Sequence, residues 1–449
     1  MNAGKKRSSE PESLEVRIAD AVARHREGRL AEAEARYLGI LETHPDHTGV
    51  LHNLGVVAAQ AGDPAKALGW FDKTLALAAD YTRAYLNRAG ALHELERLQE
   101  AAADYRTFLA AEPDHYDANF RLALVETALG NRESALACFA RTHAIRRMAA
   151  TVPSISKLKL DHDIAQLRFL AAAGDDAETD HLSRLADDFT ALRDTVPWPD
   201  DDTEAVTLTD DQWDLIGPSL THPVHVAETP GAAGSSLNFS LDTTLVTRDY
   251  RGHVPGWTCV DDLLSPDALL ALRRFLLHST IWFDFTHVRG FLAAYLEDGL
   301  ACPLLLQIAA DLRATFPEIF GPHALTQAWA FKCVGGHESV DIHMDAAAVS
   351  INFWITPDSA NLDSDHGGLV LYDVPPPPDW RIAGYDQDIA AIRKHLTESD
   401  SAGTIIPHRT NRAVIFDSNL FHESDTVTFK PGYENHRINI TLLFGRRRG

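Results

Sequence analysis

The sequence predicts a multidomain chain in which an all-α array of helical repeats is followed by a double-sheet β domain with supporting helices. Two observations carry that expectation: self-similarity with a period of 34 residues over residues 14–147, and a run of short apolar, β-branched segments from Thr326 to the C-terminus. A third, a His-x-Asp pair followed by a distant histidine within the β-rich part, points to a site.

The repeat is defined by columns. Ala33, Ala67, Ala101 and Ala135 occupy one position, and Tyr37, Phe71, Tyr105 and Phe139 stand four residues beyond. A small residue lets paired helices approach, and the aromatic fills the space toward the next pair. Gly28, Gly62 and Gly130 punctuate the turn inside each pair, with Glu96 in the third unit; Pro45 and Pro113 close units, Ala79 takes that column in the second, and Leu54-Gly55 adds a small-residue step. A single helical pair cannot bury its own apolar face, so about four units must stack. These columns resemble tetratricopeptide repeats. That resemblance implies a superhelix whose concave surface holds a protein or peptide partner, with Asn53, Asn87 and Asn119 as candidate groove residues on successive first helices.

The chain has 449 residues, a formal charge of -23, 45% hydrophobic and 23% charged residues. That length calls for more than one core, and the composition is that of a globular protein. The acidic balance argues against nucleic acid as a partner, because phosphate contacts need clustered cations; Arg446-Arg447-Arg448 is read as a solvated tail. Cys138, Cys259, Cys302 and Cys333 lack metal-knuckle or disulfide spacing. With neither a secretory signal in Met1 to Ser13 nor an apolar run long enough to span a bilayer, the expected location is cytoplasmic, without a membrane.

Residues 148–197 read as capping helices and a linker. Lys157 to Gly174 carries a helical stripe, with His162 and Gln166 read as a surface pair, and Asp175 to Ala186 as a second helix. Thr195 to Asp202 and Glu228 to Ser236 read as loops, and Ser240 to Tyr250 as at most a strand or two. The β domain is placed at 198–449. Ser265-Pro266 starts one supporting helix and Pro303 to Phe316 forms another. Ala328 to Val334, Ala347 to Ile355, Gly368 to Tyr372, Ala413 to Asp417 and Arg437 to Phe444 read as strands of a jelly roll, or double-stranded β-helix. A lid-like insertion at 374–406 contains Pro375 to Pro378 and a helix around Ile389 to Leu396.

Within this domain His343 and Asp345 lie just before one strand, and His422 just after another. Two imidazoles and a carboxylate form a facial set suited to ferrous iron, with positions left open for other ligands. Two residues apart in an extended segment, His343 and Asp345 point to one side. Arg437 opens the last strand, and its planar cation can hold a carboxylate in a dry pocket. His343-x-Asp345, His422 and Arg437 together resemble the iron and co-substrate residues of the 2-oxoglutarate/Fe(II)-dependent dioxygenases, with a layout similar to the prolyl-hydroxylase-like branch. The resemblance spans Trp257 to Gly449. It departs from that branch at Val340, where a tyrosine is usual, and in offering Arg437 where a lysine is usual.

The resemblance implies Fe(II) held by His343, Asp345 and His422, and 2-oxoglutarate bound with Arg437, Asn439, Thr441, Asn352 and Tyr372. The implied reaction is hydroxylation by dioxygen coupled to conversion of 2-oxoglutarate into succinate and carbon dioxide; retention of Asp345 favours hydroxylation over halogenation. The expected substrate is a protein or peptide recruited by the repeats. The alternatives are a small-molecule hydroxylase whose repeats serve assembly, and a non-catalytic repeat scaffold. His366 and His337 are alternative ligand candidates, with His366 read as a turn residue beside the site, and its neighbours Gly367-Gly368 as a point of close backbone approach; Phe283, Phe285 and Trp354 are candidate pocket walls, with core packing as the alternative.

Overall fold

A computed structural model describes residues 13–148, 154–173, 177–335, 339–377, 380 and 388–446. By its internal contacts the chain divides into two compact units, before and after the Cys138–Phe139 bond. His337 and the tail residues Arg447 and Arg448 lie outside the described residues, as does Pro378 of the proline run.

The first unit is built from α1 (Leu14–Arg26), α2 (Leu30–Leu41), α3 (Thr48–Gln60), α4 (Pro64–Leu77), α5 (Thr82–Glu94), α6 (Leu98–Ala111) and α7 (Tyr116–Ala128), and α8 (Arg132–Met148) begins within it. The repeat columns are its core: Ala33, Ala67, Ala101, Tyr37, Phe71 and Tyr105 are all fully buried. The small column has a direct steric reason at Gly55, where an added Cβ would stand 2.4 Å from the Phe71 ring. The turn column has a backbone reason. Gly28, Gly62 and Gly130 adopt φ of 74°, 78° and 79°, and Glu96 is held at 59° in the same place. Glu96 therefore carries the steric cost of a left-handed conformation that the glycines avoid.

The asparagines do not form a ladder. Asn87 hydrogen-bonds His52 Nε2 at 2.9 Å, whereas the buried Asn119 donates to the carbonyls of Pro113 and His115 at 2.9 and 3.0 Å, bracing its own turn.

The second unit opens with β1 (Ser154–Ser156), α9 (Lys157–Ala171), α10 (Ala177–Thr195), β2 (Ala205–Thr207), α11 (Asp210–Thr221) and α12 (Thr243–Gly252). Three expectations are corrected here. The second helix of the 148–197 segment runs on to Thr195. Residues 240–250 carry a helix, α12, capped by Asp242 accepting from the Leu245 amide, in place of strands. His162 and Gln166 are buried, at 3% and 1% exposure, and are not a surface pair. Gln166 donates to the carbonyls of Leu277 and Ser279, and His162 Nε2 meets the buried Lys332 ammonium at 3.1 Å, so α9 is fastened inside the second unit.

There follow β3 (Trp257–Val260), α13 (Pro266–His278), β4 (Phe291–Tyr295), α14 (Pro303–Thr315), β5 (Leu325–Cys333), β6 (Val349–Trp354), β7 (Leu369–Tyr372), α15 (Ile389–Glu398), β8 (Thr404–Ile406), β9 (Ala413–Asp417), β10 (Phe421–Ser424) and β11 (Arg437–Phe444). As the sequence pattern suggests, Ser265 caps α13 and Pro266 starts it. Two antiparallel sheets result, a six-stranded one in the order β3-β9-β6-β11-β5-β4 and a three-stranded one in the order β10-β7-β8. Trp354 of the large sheet packs with Leu369, Leu371, Ile406 and Phe416 in a core contributed by both sheets. β3, β4, β8 and β10, three to five residues long, went unrecognised in the sequence.

Glu96→Gly should stabilise the first unit, because relief of about 1–2 kcal/mol of left-handed strain exceeds the roughly 0.5–1 kcal/mol entropic cost of glycine. Gly55→Ala should destabilise it by about 1–3 kcal/mol, since the Phe71 ring must move. Chemical denaturation of the two variants checks both signs.

Candidate metal centre

The centre starts from a backbone pairing. His343 and His422 exchange both main-chain hydrogen bonds, His343 N to His422 O at 3.0 Å and His422 N to His343 O at 2.9 Å, adding the 342–344 segment to the edge of the small sheet beside β10. Directly opposed residues share a face of a sheet. The two imidazoles consequently stand 4.3 Å apart between ring centres, and His422 lies within β10 rather than after a strand as the sequence suggested. Asp345 follows at the same parity and reaches the pair: its carboxylate oxygens are 3.9 Å from His343 Nε2 and 3.6 Å from His422 Nε2. Ligand atoms from these three residues all fall within 4.8 Å of one another.

Each ligand is oriented from behind. His343 Nδ1 faces the Asp341 carbonyl at 2.7 Å and His422 Nδ1 faces the Leu420 carbonyl at 3.2 Å. A carbonyl only accepts, so each Nδ1 carries the proton and each Nε2 presents a lone pair to the shared point. Burial pushes the His422 pKa down to about 4, which keeps that imidazole neutral. Ser350 donates to Asp345 Oδ2 at 2.6 Å and is itself bonded to Ser418 at 2.7 Å. This donor set of two imidazoles and one buried carboxylate fits a divalent transition metal on one face, leaving the other face open. Ser350 and Ser418 escaped the sequence reading because an isolated strand serine carries no spacing signal.

Two spaces meet at His343. One is a cavity of about 880 Å³ whose walls include His287, Tyr295, Trp329, Phe331 and Asp341. The other, about 40 Å³, lies between the sheets and is lined by His422, Asn352, Arg437, Asn439 and Thr441. Register explains that lining, since Asn439 pairs with Phe331 and Trp354, and Thr441 with Trp329 and Asn352, placing one set of side chains on the inner face.

Arg437 is 2% exposed and, among the described residues, no carboxylate hydrogen-bonds it, although the charge of Asp425 acts on it. It donates to Gly367 O and Gly368 O at 2.7 and 2.8 Å and to Asn439 Oδ1 at 3.1 Å. Its burial lowers the pKa to about 10, so it remains a cation at neutral pH. The backbone passes closely at Gly368, where a Cβ would lie 1.9 Å from the Ile406 carbonyl oxygen. Asn352 donates to Thr441 Oγ1 at 3.1 Å, while its own buried Oδ1 has no partner.

Other candidates are placed elsewhere. Tyr372 faces away from the chamber: it pairs with Phe421, whereas the neighbouring Leu371 pairs with His422, so strand alternation sends its ring to the opposite side. There its hydroxyl bonds Glu423 and Arg393. His366 binds Asp425, which raises its pKa, and is not among the converging ligands. Trp354 is wholly buried core, and Phe283 and Phe285 line a different depression beside Arg146 and Arg147.

Ser350→Ala should lower divalent-metal affinity by roughly tenfold, because outer hydrogen bonds to ligands have that order of effect. Titration with Co(II), read by calorimetry, measures it.

Comparison with known proteins bears on the first unit. The tetratricopeptide-repeat family model matches residues 19–82 and 86–145. Protein FlbA of Caulobacter vibrioides is 33% identical over 98 residues, which is 22% of this chain and 16% of that protein. A crystal structure of MamA aligns at 19% identity and a TM-score of 0.28, covering 39% of this chain and 87% of that one. The first TPR of Spaghetti (RPAP3), solved bound to an HSP90 peptide, aligns at 26% identity and a TM-score of 0.25, covering 26% and 94%. The chain thus spans under a fifth of the FlbA protein it matches. No described helix is long and apolar enough to cross a membrane. Residues 19–145 carry tetratricopeptide repeats, ahead of a β-rich region of antiparallel sheets.

Proposed function

We propose that the second unit is a double-stranded β-helix dioxygenase that uses Fe(II) and 2-oxoglutarate to hydroxylate a protein or peptide recruited by the repeats. The observation that carries this reading is the pairing of the His343, Asp345 and His422 ligand face with a buried, carboxylate-free Arg437 in a chamber that His343 also lines.

A bound iron would supply oxidation of the substrate by dioxygen, coupled to decarboxylation of the co-substrate. The protein's part is binding and orientation. A buried cation to which no described carboxylate hydrogen-bonds is costly, and the distal carboxylate of a five-carbon diacid would offset that cost at Arg437. It would take the Nη1–H now given to Asn439, leaving the Gly367 and Gly368 carbonyls to hold the guanidinium plane. Asn352, through its amide N–H groups, and Thr441, through its hydroxyl, complete the polar wall. The larger cavity then receives the substrate, with Trp329 and Phe331 standing between it and the co-substrate chamber. In the first unit, a depression of about 400 Å³ lined by Asn87, Glu94, Asp117 and Arg121 offers mixed polar contacts to a peptide.

The test is release of succinate from 2-oxoglutarate by the Fe(II)-loaded protein. His343→Ala and Asp345→Ala should each reduce it to background, and unchanged turnover in either would overturn the assignment. Arg437→Ala should raise the apparent KM for 2-oxoglutarate by about tenfold or more, the order lost with one charge-assisted contact, while leaving metal binding in place.

A further inference from the structure

We propose that the insertion at 374–406 is a positioning element that holds the two metal-binding histidines from outside the sheet, with Arg393 as its charged clamp and Ile392 and Leu396 as its apolar one. The inference rests on the metal-centre reading above and adds to it the element that keeps the ligands in place. It departs from the lid expected of such a long insertion.

Strand alternation makes the argument. His343 and His422 face the chamber, so their sequence neighbours Ile342, Met344, Phe421 and Glu423 face the other way. On that outer side Ile342, Met344, Phe421 and Tyr372 form one buried cluster with Ile392 and Leu396 of α15, and Val374 and Trp380 of the same insertion pack against it. Ile392 is fully buried and Leu396 is 3% exposed, so α15 covers the back of both ligand segments. The polar contacts repeat the pattern. Arg393 grips both carboxylate oxygens of Glu423, the residue after His422, and its Nη1 also reaches the Tyr372 hydroxyl at 3.2 Å. Such a two-point fork fixes direction as well as distance.

The segment carrying His343 needs such support. Its main-chain bonds to β10 are the two exchanged with His422 and one from Ser424 N to Val340 O, and it forms the edge of its sheet. Few backbone bonds hold an edge segment, so side-chain packing sets the angle of its imidazole. The described part of the insertion supplies that packing, and its last residues, Thr404 to Ile406, enter the same sheet as β8 beside β7.

Co(II) binding to the full-length protein tests this, read by its visible absorption, which reports coordination geometry, and by the titration midpoint. Arg393→Ala should weaken binding by roughly tenfold and alter the band shape with helix content unchanged. Arg393→Lys should recover part of the loss, and Ile392→Ala should act in the same direction. Lys394→Ala, on an exposed side chain of the same helix whose partner is Glu398, should match the parent protein. If Arg393→Ala does not fold, Tyr372→Phe, which removes one hydroxyl from the clamp, decides by the same two readings. Parent-like midpoint and spectrum in Arg393→Ala and Ile392→Ala would overturn the inference and leave the metal centre standing. Failure of the parent protein to bind Co(II) in a manner abolished by His343→Ala would overturn both.

Discussion

The second unit depends on one pair of backbone hydrogen bonds, those exchanged between His343 and His422. They join two segments far apart in the chain and fix the parity of both. Because side chains alternate across a strand, this single pairing decides that both imidazoles point inward and that Ile342, Met344, Phe421 and Glu423 point outward. A slip of one residue in either segment would turn a ligand out of the chamber and an apolar residue in. The centre and its outer support are therefore two faces of one register.

Around that pairing, polar groups are sorted by what they can accept or donate. Each histidine donates its Nδ1–H to a backbone carbonyl, Asp345 is held by Ser350, and Arg437 is held by two glycine carbonyls. Carbonyls satisfy the guanidinium's hydrogen bonds without neutralising its charge. That distinction supports the proposed co-substrate site, because the cost of burying Arg437 is left partly uncompensated and an anion there would offset it.

Expectations failed where burial changed a residue's meaning. His162 and Gln166 share a helix face in the sequence, but whether that face meets water or Leu277, Ser279 and Lys332 depends on a partner over a hundred residues away. Tyr372 was placed by its strand and not by its parity, and parity follows from the cross-strand partner Phe421. Residues 240–250 alternate weakly enough to suggest a strand, yet Asp242 caps a helix there.

By itself the sequence determined the repeats, since a 34-residue period of alanine and aromatic columns is local information that each unit repeats, and even the exception at Glu96 marks a backbone position with φ of 59°. It also supplied five of the seven strands β5 to β11 and the residue types of the centre, because their chemistry is carried by composition and order. Only tertiary structure decided which of those residues meet. Convergence of His343, Asp345 and His422, the bonding of Arg437 to two glycine carbonyls and Asn439, and the turning away of Tyr372 all follow from register between strands distant in sequence. Register is a property of pairs, and a single strand's sequence does not contain its partner.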